Sequence, residues 1–115
     1  MADSVRTADL SLSEDLLQEI KKRVVYSFAP EKVILFGSYA ERRATPESDV
    51  DLLVVMERPL SRKERQARIR GLFRDVPLPV QVITISKQEF EETRDVIGGI
   101  AYPAAKYGSV IYEKP

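Results

Sequence analysis

The sequence predicts an α/β (α+β) protein in which helices pack against one small mixed β-sheet. Three apolar runs of strand length, at 33–36, 50–55 and 80–85, alternate with segments of helical character. The order helix, strand, strand, helix, strand, helix is typical of layered α/β architecture. With 115 residues and 43% hydrophobic content, the chain can bury one core. We therefore expect a single domain over 11–115, preceded by a flexible polar segment over 1–10.

The first half of the chain predicts one helix and two strands. Ser11–Glu14 has the pattern of a capping box, and apolar residues then recur at helical spacing until Pro30. This apolar stripe predicts packing against the sheet, with partner binding as the alternative. Val33–Phe36 is continuously apolar, as expected for a central strand, and a short helical turn is predicted from Gly37 to Ala40. Because only a loop separates the first two strands, they should be antiparallel.

The second half predicts a basic helix, a third strand and short C-terminal elements. A capping box at Ser61–Glu64 opens a helix to about Asp75, which leaves room for a parallel crossover to the strand at 80–85. The basic side chains of this helix form either a solvated face or a docking surface for an acidic partner or an RNA backbone. A third box at Ser86–Glu89 starts an acidic helix. A helix from Ile100, capped by Gly108, should precede a last short strand.

Composition excludes several kinds of chemistry. Eighteen acidic residues balance eighteen basic ones, so no global field favours nucleic acid, and we expect no nucleic-acid substrate. The chain contains neither cysteine nor histidine, which excludes disulfides, thiolate nucleophiles and nearly all zinc sites. Any metal must have oxygen ligands. No stretch has the length and hydropathy of a membrane span or a secretion signal, so we expect a cytoplasmic protein without membrane attachment.

Polar residues at the facing ends of the first two strands carry the candidate chemistry. Because side chains alternate along a strand, Asp49 and Asp51 project to the same side. Paired carboxylates of this kind suit Mg²⁺, which proteins bind with one or two carboxylates together with substrate phosphates. Gly37 and Ser38 can turn the chain sharply, and the backbone N–H groups that follow favour an anion such as phosphate. The combination suggests metal-assisted phosphoryl or nucleotidyl transfer.

The pattern Gly-Ser, ten residues, then Asp-x-Asp between apolar strands resembles the signature of the DNA polymerase β-type nucleotidyltransferase superfamily. Within it the chain is most similar to the minimal nucleotidyltransferases, which often pair with a helical HEPN-domain protein as toxin–antitoxin systems. The similarity extends from about Leu12 to Tyr112. The resemblance implies a nucleotidyltransferase (polymerase β-like) fold. It also implies an enzyme that transfers a nucleoside monophosphate to a hydroxyl, such as that of a tyrosine of the HEPN partner. The donor would be ATP, which supplies AMP, or another nucleoside triphosphate.

The resemblance also implies roles for particular residues. Asp49 and Asp51 would be the catalytic, metal-binding pair, with one or two Mg²⁺ ions as cofactor. Gly37 and Ser38 would bind the nucleotide phosphates. The family usually reads Gly-Ser-x-Ala-Arg-Gly, whereas here Glu41 and Arg42 occupy the last two places, so we assign phosphate contacts to Arg42 and the adjacent Arg43. A homo-oligomer or a hetero-oligomer is expected.

Gln81 is the most serious departure from the family pattern. It stands where relatives carry a third carboxylate, and an amide supplies neither negative charge nor a general base. Glu57 or a group of the partner is the next candidate for this role. Alternatively, Gln81 is an ordinary strand residue near an edge. The departure keeps open a second function, that of a weakened or inactive antitoxin that neutralises a HEPN toxin by direct contact.

Overall fold

The computed structural model describes residues 12–115, so the predictions for 1–10 and for Ser11 lie outside the described residues. This part of the chain contains four helices and four strands. In chain order they are α1 (Glu14–Phe28), β1 (Lys32–Phe36), β2 (Val50–Met56), α2 (Arg62–Ile69), β3 (Val80–Ser86), α3 (Lys87–Thr93), α4 (Ala101–Tyr107) and β4 (Ser109–Glu113).

The sheet is mixed, as predicted, with the strand order β3-β2-β1-β4. Strand β1 runs antiparallel to β2 and to β4, whereas β2 and β3 are parallel. The physical reason is the length of the connections. A loop suffices to reverse the chain between β1 and β2, but a parallel neighbour requires a crossover, which α2 and the turns after it provide. The fold class predicted from the sequence is confirmed.

Alternation along the two central strands divides the core into two layers. Leu52 and Val54 of β2 are fully buried against α1, together with Phe28. Leu53 and Val55 are buried on the opposite face, against α3 and α4. The central strands are apolar on both faces because helices cover both sides of the sheet. The apolar stripe of α1 packs in the core, as predicted.

The N-cap of helix α1 is Ser13, two residues after the N-cap position Ser11 that the sequence pattern predicted. The Ser13 hydroxyl accepts a hydrogen bond from the Leu16 amide at 3.1 Å and is the N-cap. The helix ends at Phe28, because Ala29 adopts a left-handed conformation with φ of 48° while its amide bonds back to Val25. This local cap ends the helix immediately before Pro30.

Helix α2 is shorter than predicted. The capping box at its start is present, with the Ser61 hydroxyl accepting from the Glu64 amide at 3.0 Å and the Glu64 carboxylate accepting from the Ser61 amide at 2.9 Å. The prediction that the helix continues to about Asp75 is wrong, since it ends at Ile69 and turns follow. Gly71, at φ of 73°, has a left-handed conformation that ends regular helix.

Two short elements complete the α3/α4 face of the sheet. The Ser86 hydroxyl caps α3 by accepting from the Glu89 amide at 3.0 Å. Helix α4 ends at the predicted cap, Gly108, whose amide bonds to the Ala104 carbonyl. In residues 12–115, no helix combines the length and the apolar character needed to cross a membrane.

Candidate active site

The strand register brings the turn after β1, the two aspartates at the start of β2 and Gln81 together at one end of the sheet. Asp51 of β2 pairs with Phe36, the last residue of β1, on one side and with Gln81 of β3 on the other. Gly37 follows Phe36 directly, and Asp49 precedes β2 by one residue. Residues paired across neighbouring strands project from the same face, so Asp51 and Gln81 share the α3/α4 face of the sheet.

Gly37 and Asp51 are in close apposition. Gly37 has φ of 78°, which side chains rarely permit, and a Cβ atom placed on it would lie 2.5 Å from Asp51 Oδ2. The carboxylate of Asp51 therefore occupies the space that any larger residue at position 37 would need. This contact joins the turn after β1 to the carboxylate on β2, which the sequence pattern alone did not reveal.

The turn after Gly37 presents unused hydrogen-bond donors. The Gly37 carbonyl accepts from the Glu41 amide at 3.1 Å, and the Ser38 carbonyl accepts from the Arg43 amide at 2.8 Å. The amides of Ser38, Tyr39 and Ala40 donate to no backbone carbonyl within residues 12–115. This is the donor arrangement of the first turn of a helix, which suits an anion. The predicted helical turn is thus present as a single hydrogen-bonded turn.

The two aspartates differ in environment. Asp49 is exposed, whereas Asp51 is half-buried. Burial raises the pKa of the Asp51 carboxyl above its usual range, and the charge of Asp49 raises it further. None of the ion pairs formed within residues 12–115 involves either aspartate. The site therefore holds two carboxylates that repel each other and lacks a compensating cation from this part of the chain.

This donor set fits a magnesium ion bound together with phosphates. In the described part of the chain, no group of three or more carboxylates, histidines or cysteines could hold a metal alone. Mg²⁺ requires near-octahedral oxygen ligands and usually retains waters or takes substrate phosphates rather than a full protein cage. Asp49 and Asp51 could supply the protein ligands, and the free amides after Gly37 lie on the neighbouring strand end, where phosphate oxygens would bind.

Gln81, the residue at the predicted third-carboxylate position, lies beside Asp51 in the sheet. It pairs with Asp51 across the parallel strands, and its side chain is exposed at the outer edge of the sheet. The alternative candidate, Glu57, is wrong for this role. It follows the opposite end of β2, six residues from Asp51, which is about 20 Å along a strand.

The two arginines assigned to phosphate are not in contact with the aspartates. Arg42, with φ of 59°, lines a cavity on the α1 side of the sheet together with Leu17 and Leu35. Arg43 is exposed and pairs with Glu41 at 3.5 Å. Both belong to the loop that follows the Gly37 turn, but the structure does not bring them to the face that carries Asp51.

Comparison with known proteins identifies the family. The sequence model of the nucleotidyltransferase domain matches residues 14–102, which include every residue of the candidate site. The chain belongs to the nucleotidyltransferase domain family. A search of the curated proteins found no significant match.

Solved structures share the fold of this nucleotidyltransferase domain. A protein of Sulfolobus solfataricus assigned as a nucleotidyltransferase is 21% identical, with a TM-score of 0.63, over 96% of this chain and 86% of that one. A toxin–antitoxin structure with AMP-PNP is 18% identical, with a TM-score of 0.57, over 84% and 73% of the two chains. A mutant of the toxin–antitoxin MntA–HpeT is 16% identical, with a TM-score of 0.56 and the same coverage. At these identities the similarity concerns the fold.

Proposed function

We propose that this nucleotidyltransferase domain transfers a nucleoside monophosphate, AMP from ATP, to a hydroxyl group in a Mg²⁺-dependent reaction. The observation that carries the proposal is the contact between Gly37 and Asp51. It places a turn with free amides against a half-buried carboxylate that is paired with Asp49. Within a nucleotidyltransferase family, this combination matches the two needs of the reaction, a phosphate cradle and a site for a hard cation.

The nucleotide phosphates would bind at the turn after Gly37. The amides of Ser38 and Tyr39 provide hydrogen-bond donors, and the half-buried Ser38 hydroxyl forms no hydrogen bond with another side chain of residues 12–115. Arg42 and Arg43 could approach the distal phosphates only through movement of their loop. The solved toxin–antitoxin neighbour with AMP-PNP supports an adenine nucleotide as the substrate class.

Asp49 and Asp51 would hold one or two Mg²⁺ ions. Such an ion neutralises charge that develops on the phosphates and the leaving pyrophosphate. The fold of the chain determines where the two aspartates lie. Strand β2 fixes Asp51, and the fully buried Val50 between the two aspartates anchors this strand end in the core. Burial and the charge of Asp49 raise the pKa of the Asp51 carboxyl. A cation between the two carboxylates would relieve their repulsion, so the pair is suited to bind one.

The acceptor hydroxyl must lose its proton, and the described residues offer no evident base beside the pair. Gln81 cannot take up a proton, so we expect slow transfer unless the partner supplies the base. Loss of a general base typically lowers a rate by about a hundredfold to ten-thousandfold. Nucleotide binding should be unaffected, because it depends on the Gly37 turn and on the aspartates.

A HEPN-domain protein is the proposed partner, with one of its tyrosines as acceptor and the pair acting as a toxin–antitoxin system of the minimal nucleotidyltransferase type. The toxin–antitoxin structural neighbours support a partner protein of this general kind, and the HEPN identity rests on the resemblance of the sequence pattern. The turn between α3 and α4 also exposes apolar side chains, with Ile97 81%, Val96 52% and Ile100 43% accessible. Apolar side chains grouped on a small surface are typical of protein interfaces.

A second candidate function follows from Gln81. Without a third carboxylate, the domain could act as an antitoxin that neutralises its partner by contact, with Asp49 and Asp51 serving only to sense nucleotide. The two functions differ in one observable, covalent transfer of AMP. Incubation of the protein with labelled ATP, Mg²⁺ and the product of the neighbouring gene, followed by mass spectrometry of that product, distinguishes them.

Nucleotide binding provides the first test of the proposal. Asp49→Asn combined with Asp51→Asn keeps the side-chain shapes but removes both charges, so Mg²⁺·ATP affinity measured by calorimetry should fall at least about tenfold. Asp15→Asn is the matched control, since Asp15 is exposed on α1 at the other face of the sheet. Equal binding by wild type and the double variant would locate the nucleotide elsewhere.

Assembly provides an independent test. We expect the protein to form a complex with its neighbouring gene product, detected as a rise in mass by light scattering. Ile97→Asp should weaken that complex, because it introduces a charge into the exposed apolar turn. Lys22→Glu, on the exposed surface of α1, is the control for a charge change. If wild-type protein and the neighbouring gene product show no rise in mass when mixed, the toxin–antitoxin assignment is contradicted.

A further inference from the structure

Within residues 12–115, one edge of strand β3 is unpaired, and the sequence of the strand does not protect it. The strand lies at the end of the sheet, pairs only with β2 among the described residues, and keeps an unbroken register from Val80 to Ser86. Sheet edges are usually protected by prolines, charged residues or bulges. Residues 80–86 contain no proline and no charge. By contrast, β4 at the other edge has a register shift against β1 and a charged residue, Glu113.

A groove runs along this free edge. It has a volume of about 550 Å³ and lies between β3 and α2. The side chains of Ile69, Val82 and Ile83 provide apolar wall, and Gln81 and the half-buried Arg65 provide polar groups. An unpaired strand edge beside a groove is a geometry at which an extended peptide can add to a sheet.

The segment that contributes Arg65 to the groove carries a concentration of positive charge. Residues 58–74 contain seven basic residues and one acidic residue, a net charge of +6, although the whole chain is neutral. Arg62 and Arg65 lie three residues apart on one face of α2. Neither forms an ion pair within residues 12–115. The charge is therefore available to an acidic ligand.

The chemistry of the groove distinguishes the three occupants that a basic strand edge could take. A second copy of this chain, paired through β3, would bring two basic helices together and suffer repulsion. Single-stranded RNA is recognised largely by stacking on aromatic rings, and no aromatic side chain of residues 12–115 lines the groove. An acidic peptide in extended conformation satisfies both the free backbone groups of β3 and the arginines of α2.

We infer that the free edge of β3 binds an extended, acidic peptide segment of a partner protein, which adds to the sheet as a fifth strand beside Gln81 and Arg65. Such a strand would lie two strand spacings, about 10 Å, from β2 and Asp51. Binding of this segment is independent of the proposed function. The further statement that the segment carries the acceptor hydroxyl rests on the proposed function. A long hydroxyl side chain opposite Gln81 would lean over the sheet towards the carboxylate pair.

The probe is a short fluorescein-labelled peptide that alternates glutamate with valine around a central tyrosine, measured by fluorescence polarisation. We expect it to bind at least about tenfold more tightly than the same peptide with lysine in place of glutamate. Methylation of alternate backbone nitrogens should cost a similar factor, because it removes the hydrogen bonds to β3 and leaves the charge unchanged. Arg65→Glu should weaken binding about tenfold, and Lys22→Glu by less than about twofold.

Several outcomes would overturn the inference. Equal binding of the methylated and unmethylated peptides would show that no strand is added. A uridine oligonucleotide that binds more tightly and displaces the peptide would show that the groove is a nucleic-acid site. Absence of binding at millimolar peptide concentration would show that the arginines of α2 only prevent unwanted strand pairing at β3. The double variant Asp49→Asn/Asp51→Asn should bind the peptide with unchanged affinity. Failure of peptide binding and failure of nucleotide binding can therefore be distinguished.

Discussion

Replacement of Gly37 by alanine should damage the fold and the site together. Position 37 has φ of 78°, and the added methyl group would lie 2.5 Å from Asp51 Oδ2. Two separate costs follow. The left-handed conformation costs a residue with a Cβ atom roughly 1–2 kcal/mol. The carboxylate must also rotate away from its present position, which costs about 1 kcal/mol if it leaves its preferred rotamer.

Together these terms predict a loss of about 2–3 kcal/mol in the free energy of unfolding. For a domain of this size, each 1 kcal/mol lowers the melting temperature by about 4 °C, so Gly37→Ala should melt about 10 °C below wild type. The displaced carboxylate is the one proposed to hold Mg²⁺. Mg²⁺·ATP affinity should therefore fall about tenfold or more, even at temperatures where the variant is fully folded.

Gly71→Ala is the matched control. Gly71 has a similar φ of 73°, but a Cβ atom there would meet only the flexible end of Arg74, at 3.2 Å. Gly71→Ala should lower the free energy of unfolding by the cost of the left-handed backbone alone, roughly 1–2 kcal/mol. It should leave nucleotide binding unchanged. Calorimetry would give the melting temperatures and the ATP affinities of both variants. If Gly37→Ala matches Gly71→Ala in stability and binds Mg²⁺·ATP as wild type does, the contact with Asp51 does not shape the site.

Three further predictions concern single residues. Burial and the charge of Asp49 raise the pKa of Asp51, so metal-free stability should fall as pH rises from about 3.8 through the folded pKa, and Asp51→Asn should remove this loss and be the more stable protein at pH 7. Gln81→Asp should raise AMP transfer to the partner at least about tenfold with little change in ATP affinity. Gly108→Ala should cost about 3 kcal/mol in chemical denaturation, because its methyl group would collide with backbone oxygens of Ala104 and Leu35.

Each of these has a contradicting result. Parallel stability curves against pH for wild type and Asp51→Asn, measured without metal, would show that the carboxylate is not destabilised. Rapid transfer by wild type, unchanged in Gln81→Asp, would show that the third carboxylate is unnecessary or supplied from elsewhere. For Gly108→Ala, the reference is Gly98→Ala, where no atom lies within 4 Å but φ is 95°. A smaller loss at Gly108 than at Gly98 would contradict the packing argument.

The sequence by itself determined the elements and most of their pairing. Apolar runs located the three main strands, and the serines at 61 and 86 located the starts of α2 and α3, because a cap and its helix are only a few residues apart. The lengths of the connections determined that β1 and β2 are antiparallel and that β2 and β3 are parallel. Strand alternation placed Asp49 and Asp51 on one side.

The sequence prediction failed at the end of the basic helix and at Arg42. The basic helix was expected to reach Asp75 but ends at Ile69, where the segment is tied to α1. Arg68 donates from its guanidinium to the Ser27 carbonyl at 3.1 Å, and the Ser27 hydroxyl donates to the Arg68 carbonyl at 2.8 Å. Arg42 was expected at the phosphates but lies on the α1 side of the sheet. The hydrogen bonds to α1 and the position of Arg42 are tertiary contacts that the spacing of neighbouring residues does not encode, whereas Gly71 is a local signal for the end of the helix.

Only the tertiary structure decided how the candidate site is assembled. The apposition of Gly37 with Asp51, the position of Gln81 beside Asp51 and the free edge of β3 next to Arg65 all depend on strand register and strand order. Register joins residues that are fourteen to thirty positions apart in the chain, and it is set by how the whole core packs. A sequence pattern names the residues that can perform the chemistry, but packing decides which of them meet.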